Sequence, residues 1–239
     1  MKTRILFTAV FFLTVITVFS QNNIPLIGSK APSFTAETTK GELTFPDDFG
    51  HKWKVLLSHP GDFTPVCTSE ILHLAMMQEK FRQLDVEVAV LSTDSKKLHT
   101  LWKNAMEEVL SKGSAPVKID FPLIADEKAE VAKLYGMLHK PASTTKYVRG
   151  VFIVNPDNIV EATYFYPMTT GRNMEEILRT VQAIQTSHSN NLYTPANWTP
   201  GSDLLVPHFP YTREELAEDP SKFNEFYNIG SLLWYKKNK

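Results

Sequence analysis

The stretch Trp53-Lys54-Val55-Leu56-Leu57-Ser58-His59 is apolar enough to form a buried strand. It passes directly into Pro60-Gly61-Asp62-Phe63-Thr64-Pro65 and then into a helical pattern. From Ser69 to Leu84, the residues Ile71, Leu74, Ala75, Phe81 and Leu84 recur by threes and fours, the spacing of one buried helix face. A buried strand and an amphipathic helix each carry an apolar face that needs a second layer. The pair therefore belongs in a sheet with helices packed on it.

The alternation continues along the chain. Val86 to Leu91 is a second strand, rich in β-branched residues. Ser95 to Leu110 reads as a helix with Leu98, Leu101, Trp102, Ala105 and Val109 on its buried face. Lys128 to Tyr135 reads as a short helix closed by Gly136. Val151 to Val154 is a third core strand, and Asn155-Pro156-Asp157-Asn158 is a turn. Ile159 to Tyr166 follows as a fourth strand in hairpin relation, and Asn173 to Thr186 is a final helix. This order predicts an α/β chain with a central mixed β-sheet flanked by helices, the order of the thioredoxin fold. From His188 the texture changes to a proline-rich C-terminal extension, punctuated by Pro195, Pro200, Pro207, Pro210 and Pro220. It ends in the apolar cluster Leu232-Leu233-Trp234-Tyr235, which is expected to dock on another surface.

The N-terminus predicts export. Lys2 and Arg4 precede an apolar run from Ile5 to Phe19 broken only by threonines, and Ser20 leads into polar Gln21-Asn22-Asn23. That is the pattern of a secretory signal peptide, and the run is shorter than the ~20 residues of a spanning helix. The expected organisation is a signal peptide over 1–20, a body over 21–187 and an extension over 188–239. The alternative is a membrane anchor that stays uncut. Cleavage would leave 23 basic against 26 acidic residues, a net charge of −3, in a periplasmic or secreted protein with no stable membrane insertion. No clustered basic face points to nucleic acid. No Gly-rich phosphate loop implies a nucleotide cofactor. His51, His73, His99, His139, His188 and His208 carry no ligand spacing, so no metal is expected. Asn197-Trp198-Thr199 is a glycosylation sequon, meaningful only in a eukaryotic secretory pathway.

Export sharpens the question of Cys67, the single cysteine. Exported proteins hold cysteines mostly in disulfides, so a lone one is buried and inert, bonded to another chain, or a free reactive thiol. Its surroundings favour the last. Thr64 sits where a helix N-cap belongs and Pro65 at the first helical position, which makes Cys67 the third helical residue. Its sulfur then lies near unpaired backbone N–H groups and the positive end of the helix dipole, which favour the nucleophilic thiolate. A thiolate dominant at pH 7 needs about 2.7 kcal/mol of differential stabilisation. A helix terminus supplies up to ~2 kcal/mol. A second contributor, such as a nearby guanidinium, is therefore expected. Thr64 stands where a Cys-x-x-Cys motif would have its first cysteine, so dithiol exchange within the chain is impossible.

Pro60-x-x-x-Thr64-x-x-Cys67 resembles the active-site signature of the peroxiredoxins. The longer string from Ser58 to Glu70 is similar to their one-cysteine subfamily, typified by peroxiredoxin six. Ala31-Pro32-x-Phe34, Tyr135-Gly136-Met137, Arg149-x-Val151-Phe152-Ile153 and Tyr166-Pro167-x-Thr169-Thr170-Gly171-Arg172-Asn173 extend the likeness over most of residues 27–205. The resemblance implies a thiol-dependent peroxidase acting on hydrogen peroxide and organic hydroperoxides, with a sulfenic acid on Cys67 recycled by an external thiol. It implies that Thr64 hydrogen-bonds the peroxide, that Pro60 shields the sulfenic acid, and that Arg149 activates thiol and peroxide. The backbone N–H groups of Val66 and Cys67 would bind peroxide oxygens. His59, Glu70 and Arg172 match positions around the pocket. A homodimer or higher homo-oligomer is implied, and no cofactor. Two departures stand out: Gly50-His51-Lys52-Trp53-Lys54 lacks the serine of a lipase-like motif, and Gly61 replaces a common arginine.

Two other functions use the same cysteine. A redox sensor or holdase-like interaction protein would oxidise once without cycling. A cysteine hydrolase would need a histidine base within reach of the thiol, and His59 is the sequence-near candidate.

Overall fold

The structure is a computed structural model that describes residues 24–112, 116–230 and 232–238. The proposed signal peptide lies outside the described residues. In chain order the body comprises Phe34–Thr38 (β1), Gly41–Phe45 (β2), Trp53–Ser58 (β3), Pro65–Gln83 (α1), Val86–Ser92 (β4), Lys96–Leu110 (α2) and Leu123–Ala125 (β5). It continues with Glu130–Leu134 (α3), Arg149–Val154 (β6), Val160–Tyr166 (β7) and Met174–Asn190 (α4). One seven-stranded sheet runs in the order β2-β1-β5-β4-β3-β6-β7. Strands β3, β4 and β5 are parallel, and the other pairings are antiparallel. This is the thioredoxin-like mixed sheet with flanking helices that the element order predicts.

Strand β3 lies near the middle of the sheet and is buried along its whole length. On one face Val55 and Leu57 pack with Ile71, Leu74 and Phe81 of α1, Trp102 and Met106 of α2, and Ile177 and Val181 of α4. On the other, Leu56 packs with Phe152, Val131, Tyr135 and Phe45. Both faces are covered, which is why β3 reads as a nearly continuous apolar run instead of an alternating one. Lys54 is the polar exception. Its Nζ donates to Asn158 Oδ1 at 2.6 Å in the β6–β7 turn, and burial lowers its pKa. Helix α3 ends at Gly136, with φ +62° and the Met137 N–H returning to Ala132 O at 2.8 Å. A Cβ there would lie 2.5 Å from Ile24 Cγ1, a second reason for glycine.

The structure corrects several expectations. Strands β1, β2 and β5 carry no long apolar run and escape a reading by periodicity. In α2 the buried side is His99, Trp102, Met106 and Glu107, whereas Leu101 and Val109 are more than half exposed. Large apolar residues on both sides of that helix masked a face that contains two ionisable groups. Helix α1 begins at Pro65, as the cap and proline signals predict, four residues before its apolar periodicity does. The extension is not irregular throughout: Leu204–Leu205 (β8), Phe226–Ile229 (β9) and Leu233–Lys236 (β10) form a second sheet, with Arg213–Glu218 (α5) between β8 and β9. Phe209 packs on Phe226 and Trp234 there, so the terminal apolar cluster docks partly on its own extension.

Glu107 ties α2 to the segment before β5. Its carboxylate accepts from Lys103 Nζ at 2.7 Å, the Ile119 N–H at 2.9 Å and Lys118 Nζ at 3.0 Å. Burial alone would raise the carboxyl's pKa, but these bonds outweigh it and bring it down to about 2. A carboxyl lowered on folding stabilises the native state above its ordinary pKa and loses that contribution as pH falls toward the folded value. Glu107→Gln should therefore destabilise the protein by about 1–3 kcal/mol at pH 7, and the difference should shrink between about pH 4.5 and pH 2. Urea unfolding of both proteins across that range measures it. A gap that does not narrow on acidification contradicts the assignment.

Candidate active site

Strand β3, the loop 59–64 and helix α1 place Cys67 at the base of a helix terminus. Thr64 takes the N-cap position with extended φ/ψ (−88°, 146°), and its carbonyl accepts the Thr68 N–H at 2.9 Å. Its hydroxyl does not cap the helix. It turns back into the loop and donates to Gly61 O at 2.9 Å. Thr64 is therefore the N-cap residue that the sequence predicts, with its hydroxyl turned elsewhere, and this has a chemical consequence. The first-turn N–H groups, including those of Val66 and Cys67, have no side-chain acceptor and remain free to bind an anion.

Cys67 has no exposed surface, and burial by itself would mark an inert core thiol. What sets it apart is Arg149. The guanidinium enters from the first residue of β6, adjacent to β3, and its Nη1 donates to Cys67 Sγ at 3.3 Å. The same Nη1 lies 2.8 Å from Glu70 Oε2, one turn along α1 from the cysteine. Arg149 Nε and Nη2 donate to Met168 O at 3.1 and 2.5 Å, so the guanidinium is held on several sides.

Arg172 completes the arrangement. Its Nε and Nη2 donate to Glu70 Oε1 and Oε2 at 2.9 and 2.8 Å, and its backbone N–H reaches Oε1 at 2.7 Å. Its Nη1 bridges Ser58 O at 2.9 Å and Gly150 O at 2.8 Å, the adjacent ends of β3 and β6. Glu70 thus joins two buried guanidiniums, and all three side chains are at most 2% exposed. The sequence-derived candidates Cys67, Glu70, Arg149 and Arg172 meet in one network. Thr64 and half-buried Pro60 border it on the loop.

His59 behaves differently. It is fully buried against Trp102, at a ring distance of 5.1 Å, and neither ring nitrogen has a hydrogen-bond partner among the described residues. Burial first, then His99 and Arg172, push its pKa well below the usual histidine value. It makes no hydrogen bond to Cys67, so the base required by a cysteine hydrolase is not in place.

Sequence reasoning missed what anchors the loop. The Asp62 N–H donates to Asp94 Oδ2 at 2.7 Å, and Asp62 Oδ2 lies 2.8 Å from His99 Nδ1 on α2. Asp94 also takes Lys146 Nζ at 3.1 Å. A Cβ at Gly61 would sit 3.3 Å from Asp94 Oδ2 and 3.5 Å from Lys146 Nζ. A cation from a remote segment therefore occupies the space beside the position where the resemblance places an arginine. The one sequence signal for His99 was a polar residue in register with Trp102 and Met106.

A thioredoxin-like scaffold that presents a lone cysteine against an arginine is a thiol enzyme without an internal dithiol. The comparisons agree. Residues 27–163 match the AhpC/TSA family, and residues 183–215 match the C-terminal domain of 1-Cys peroxiredoxin. A peroxiredoxin of Methanosarcina mazei is 48% identical over 203 residues, covering 84% of this chain and 92% of that protein. The yeast mitochondrial 1-Cys peroxiredoxin, described with a thiol resolving mechanism through glutathione/thioredoxin systems, superimposes with a TM-score of 0.76 at 34% identity. That alignment covers 90% of this chain and all of the other. Peroxiredoxin 6 of Arenicola marina gives a TM-score of 0.77 at 32% identity, covering 90% and 98%. The chain belongs to the AhpC/TSA family of peroxiredoxins, and it is a thiol-dependent peroxidase with a single cysteine.

Removing one partner of a buried ion pair costs about 3–5 kcal/mol, because the remaining charge is left uncompensated. Glu70→Gln should lower stability by that order, read from denaturant unfolding. Stability equal to wild type would contradict Glu70 as the anchor of both guanidiniums.

Proposed function

We propose that Cys67 is the peroxidatic thiol and that Arg149, Thr64, Pro60 and the first turn of α1 form its catalytic surroundings. The observation that carries this reading is the 3.3 Å contact from Arg149 Nη1 to Cys67 Sγ at a helix N-terminus. A guanidinium against the sulfur favours the thiolate, the second contribution that the helix terminus alone could not supply. The thiolate attacks one peroxide oxygen. An S–O bond forms, the O–O bond breaks, and the leaving alkoxide or hydroxide takes up a proton to give alcohol or water. Arg149 and the N–H groups of Val66 and Cys67 stabilise the charge that develops on the departing oxygen. The Thr64 hydroxyl already donates to Gly61 O, so its oxygen lone pairs face the peroxide O–H as acceptor. Pro60 covers the sulfenic acid. Two external thiols then reduce that acid to Cys67 and water and leave as a disulfide, a monothiol donor fitting a chain with one cysteine. Glu70 and Arg172 act through Arg149 as positioning residues.

The buried sulfur adds a condition. With no exposed surface at Cys67, peroxide access needs local movement around the start of α1. Within this reading, export rests on Lys2, Arg4 and the apolar run before Ser20. Among the described residues no helix is long and apolar enough to cross a membrane. Homodimer formation rests on the exposed apolar residues Ile229, Leu232 and Leu233 of the extension together with Phe63 beside the active site.

Three outcomes follow. Cys67→Ser should abolish thiol-dependent peroxide consumption in stopped flow, and Arg149→Gln should lower kcat/KM by about 10²–10³-fold. Equal rates in wild type and Cys67→Ser would end the proposal. Mass spectrometry of protein recovered from an exporting host should find Gln21 as the first residue; an intact N-terminus contradicts cleavage. Leu232→Asp combined with Leu233→Asp should shift the sedimentation profile toward monomer, and an unchanged profile removes the extension from the interface.

A further inference from the structure

Outside the cysteine site, the fold brings two metal-ligating side chains three residues apart, His59 and Asp62, against a third, His99, from a distant part of the chain. His59 follows β3, Asp62 lies in the loop before α1, and His99 is on α2. All are buried, and one ligand atom from each lies within 4.8 Å of the others. Their hydrogen bonding does not close. His99 Nε2 lies 3.0 Å from Ile124 O, and a carbonyl only accepts, so the ring proton sits on Nε2. The Nδ1 lone pair of a neutral ring then faces Asp62 Oδ2, itself an acceptor, at 2.8 Å. Asp62 Oδ1 has no hydrogen-bond partner among the described residues, and His59 Nε2 stands 3.7 Å from it with no partner either. A buried polar atom left unpaired costs about 1–3 kcal/mol, so such a convergence needs an explanation.

We propose that His59 Nε2, the Asp62 carboxylate and His99 Nδ1 form a binding site for a divalent transition metal of the zinc class. A proton between His99 and Asp62 would repair one of the mismatched atoms. A cation at the centre gives all three a partner, because each offers a lone pair, and leaves only His59 Nδ1, which then carries the ring proton, unpaired. Two imidazoles and a carboxylate are zinc ligands, and they leave a fourth position for water. Tetrahedral ligands at about 2.0–2.1 Å from zinc stand about 3.3 Å from one another. Two of the three pairs lie on either side of that value, His99 Nδ1 to Asp62 Oδ2 at 2.8 Å and His59 Nε2 to Asp62 Oδ1 at 3.7 Å, and the third lies within 4.8 Å. The outer contacts also suit a metal. His99 donates its other N–H to a backbone carbonyl, the usual partner of a ligating imidazole. The charge of Asp62 and of Asp94, which receives the Asp62 N–H, offsets a dication near Arg149 and Arg172. A bound ion would tie the loop before α1 to β3 and α2, next to Thr64 and Pro60.

The test removes Cys67 first, because a thiolate binds zinc by itself. Cys67→Ser protein is titrated with Co²⁺ and then with Zn²⁺. It should take up one Co²⁺ per chain with the visible d–d absorption of tetrahedral nitrogen and oxygen coordination, and Zn²⁺ should displace it. Adding Asp62→Asn or His59→Gln should weaken binding at least about tenfold. His59→Gln gives up no side-chain hydrogen bond and only the ring packing on Trp102, so its circular dichroism should match the parent and keep the comparison interpretable. No uptake by Cys67→Ser protein overturns the proposal. So does uptake that His59→Gln leaves unchanged, which would place the metal on surface histidines.

Discussion

The carboxylate of Glu70 is the point on which this molecule's chemistry turns. Two guanidiniums arrive from different segments, Arg149 at the start of β6 and Arg172 before α4, and one carboxylate on α1 receives both. Isolated buried charges would cost several kcal/mol each. Here every one is paired, and the spare N–H groups reach the carbonyls of Ser58, Gly150 and Met168. The network therefore fixes the relation of helix to sheet at the spot where the sulfur lies. Arg149 meets Cys67 Sγ at 3.3 Å while Glu70 and Met168 O hold its guanidinium on the other sides.

The loop between β3 and α1 follows a complementary logic. Its backbone hangs from Asp94 through the Asp62 N–H, and its Thr64 hydroxyl bonds within the loop and leaves the helix uncapped. That choice gives up an N-cap commonly worth about 1 kcal/mol. In return the first-turn N–H groups stay available beside the cysteine. The sheet and the arginine network supply the geometry around them.

Much of the fold was legible in the sequence because the central strands are covered on both sides. Burial on two faces forces a continuous apolar run, as in Val55-Leu56-Leu57 and Val151 to Val154, and such runs are hard to misplace. Strands β1 and β2 are only partly buried and carry no such run, so they passed unseen, as did β5 with three residues. Helix α2 misled for a different reason. Its inward face carries His99 and Glu107, which are satisfied by tertiary partners, while Leu101 and Val109 point to solvent. Periodicity counts apolar residues and has no access to such partners.

Cys67 shows the division most clearly. Its place after Thr64 and Pro65 made it the third residue of a helix, and the absence of any other cysteine excluded an internal disulfide; both follow from chain order alone. The need for a second positive group also followed from the sequence, since a helix terminus contributes too little by itself. Distances between segments are another matter. That Arg149, 82 residues away, touches the sulfur, that Glu70 clamps it, and that His59, Asp62 and His99 meet behind the loop depend on how β3, β6 and α2 pack. Local propensity carries no information about contacts across a sheet, so only the tertiary structure decided them.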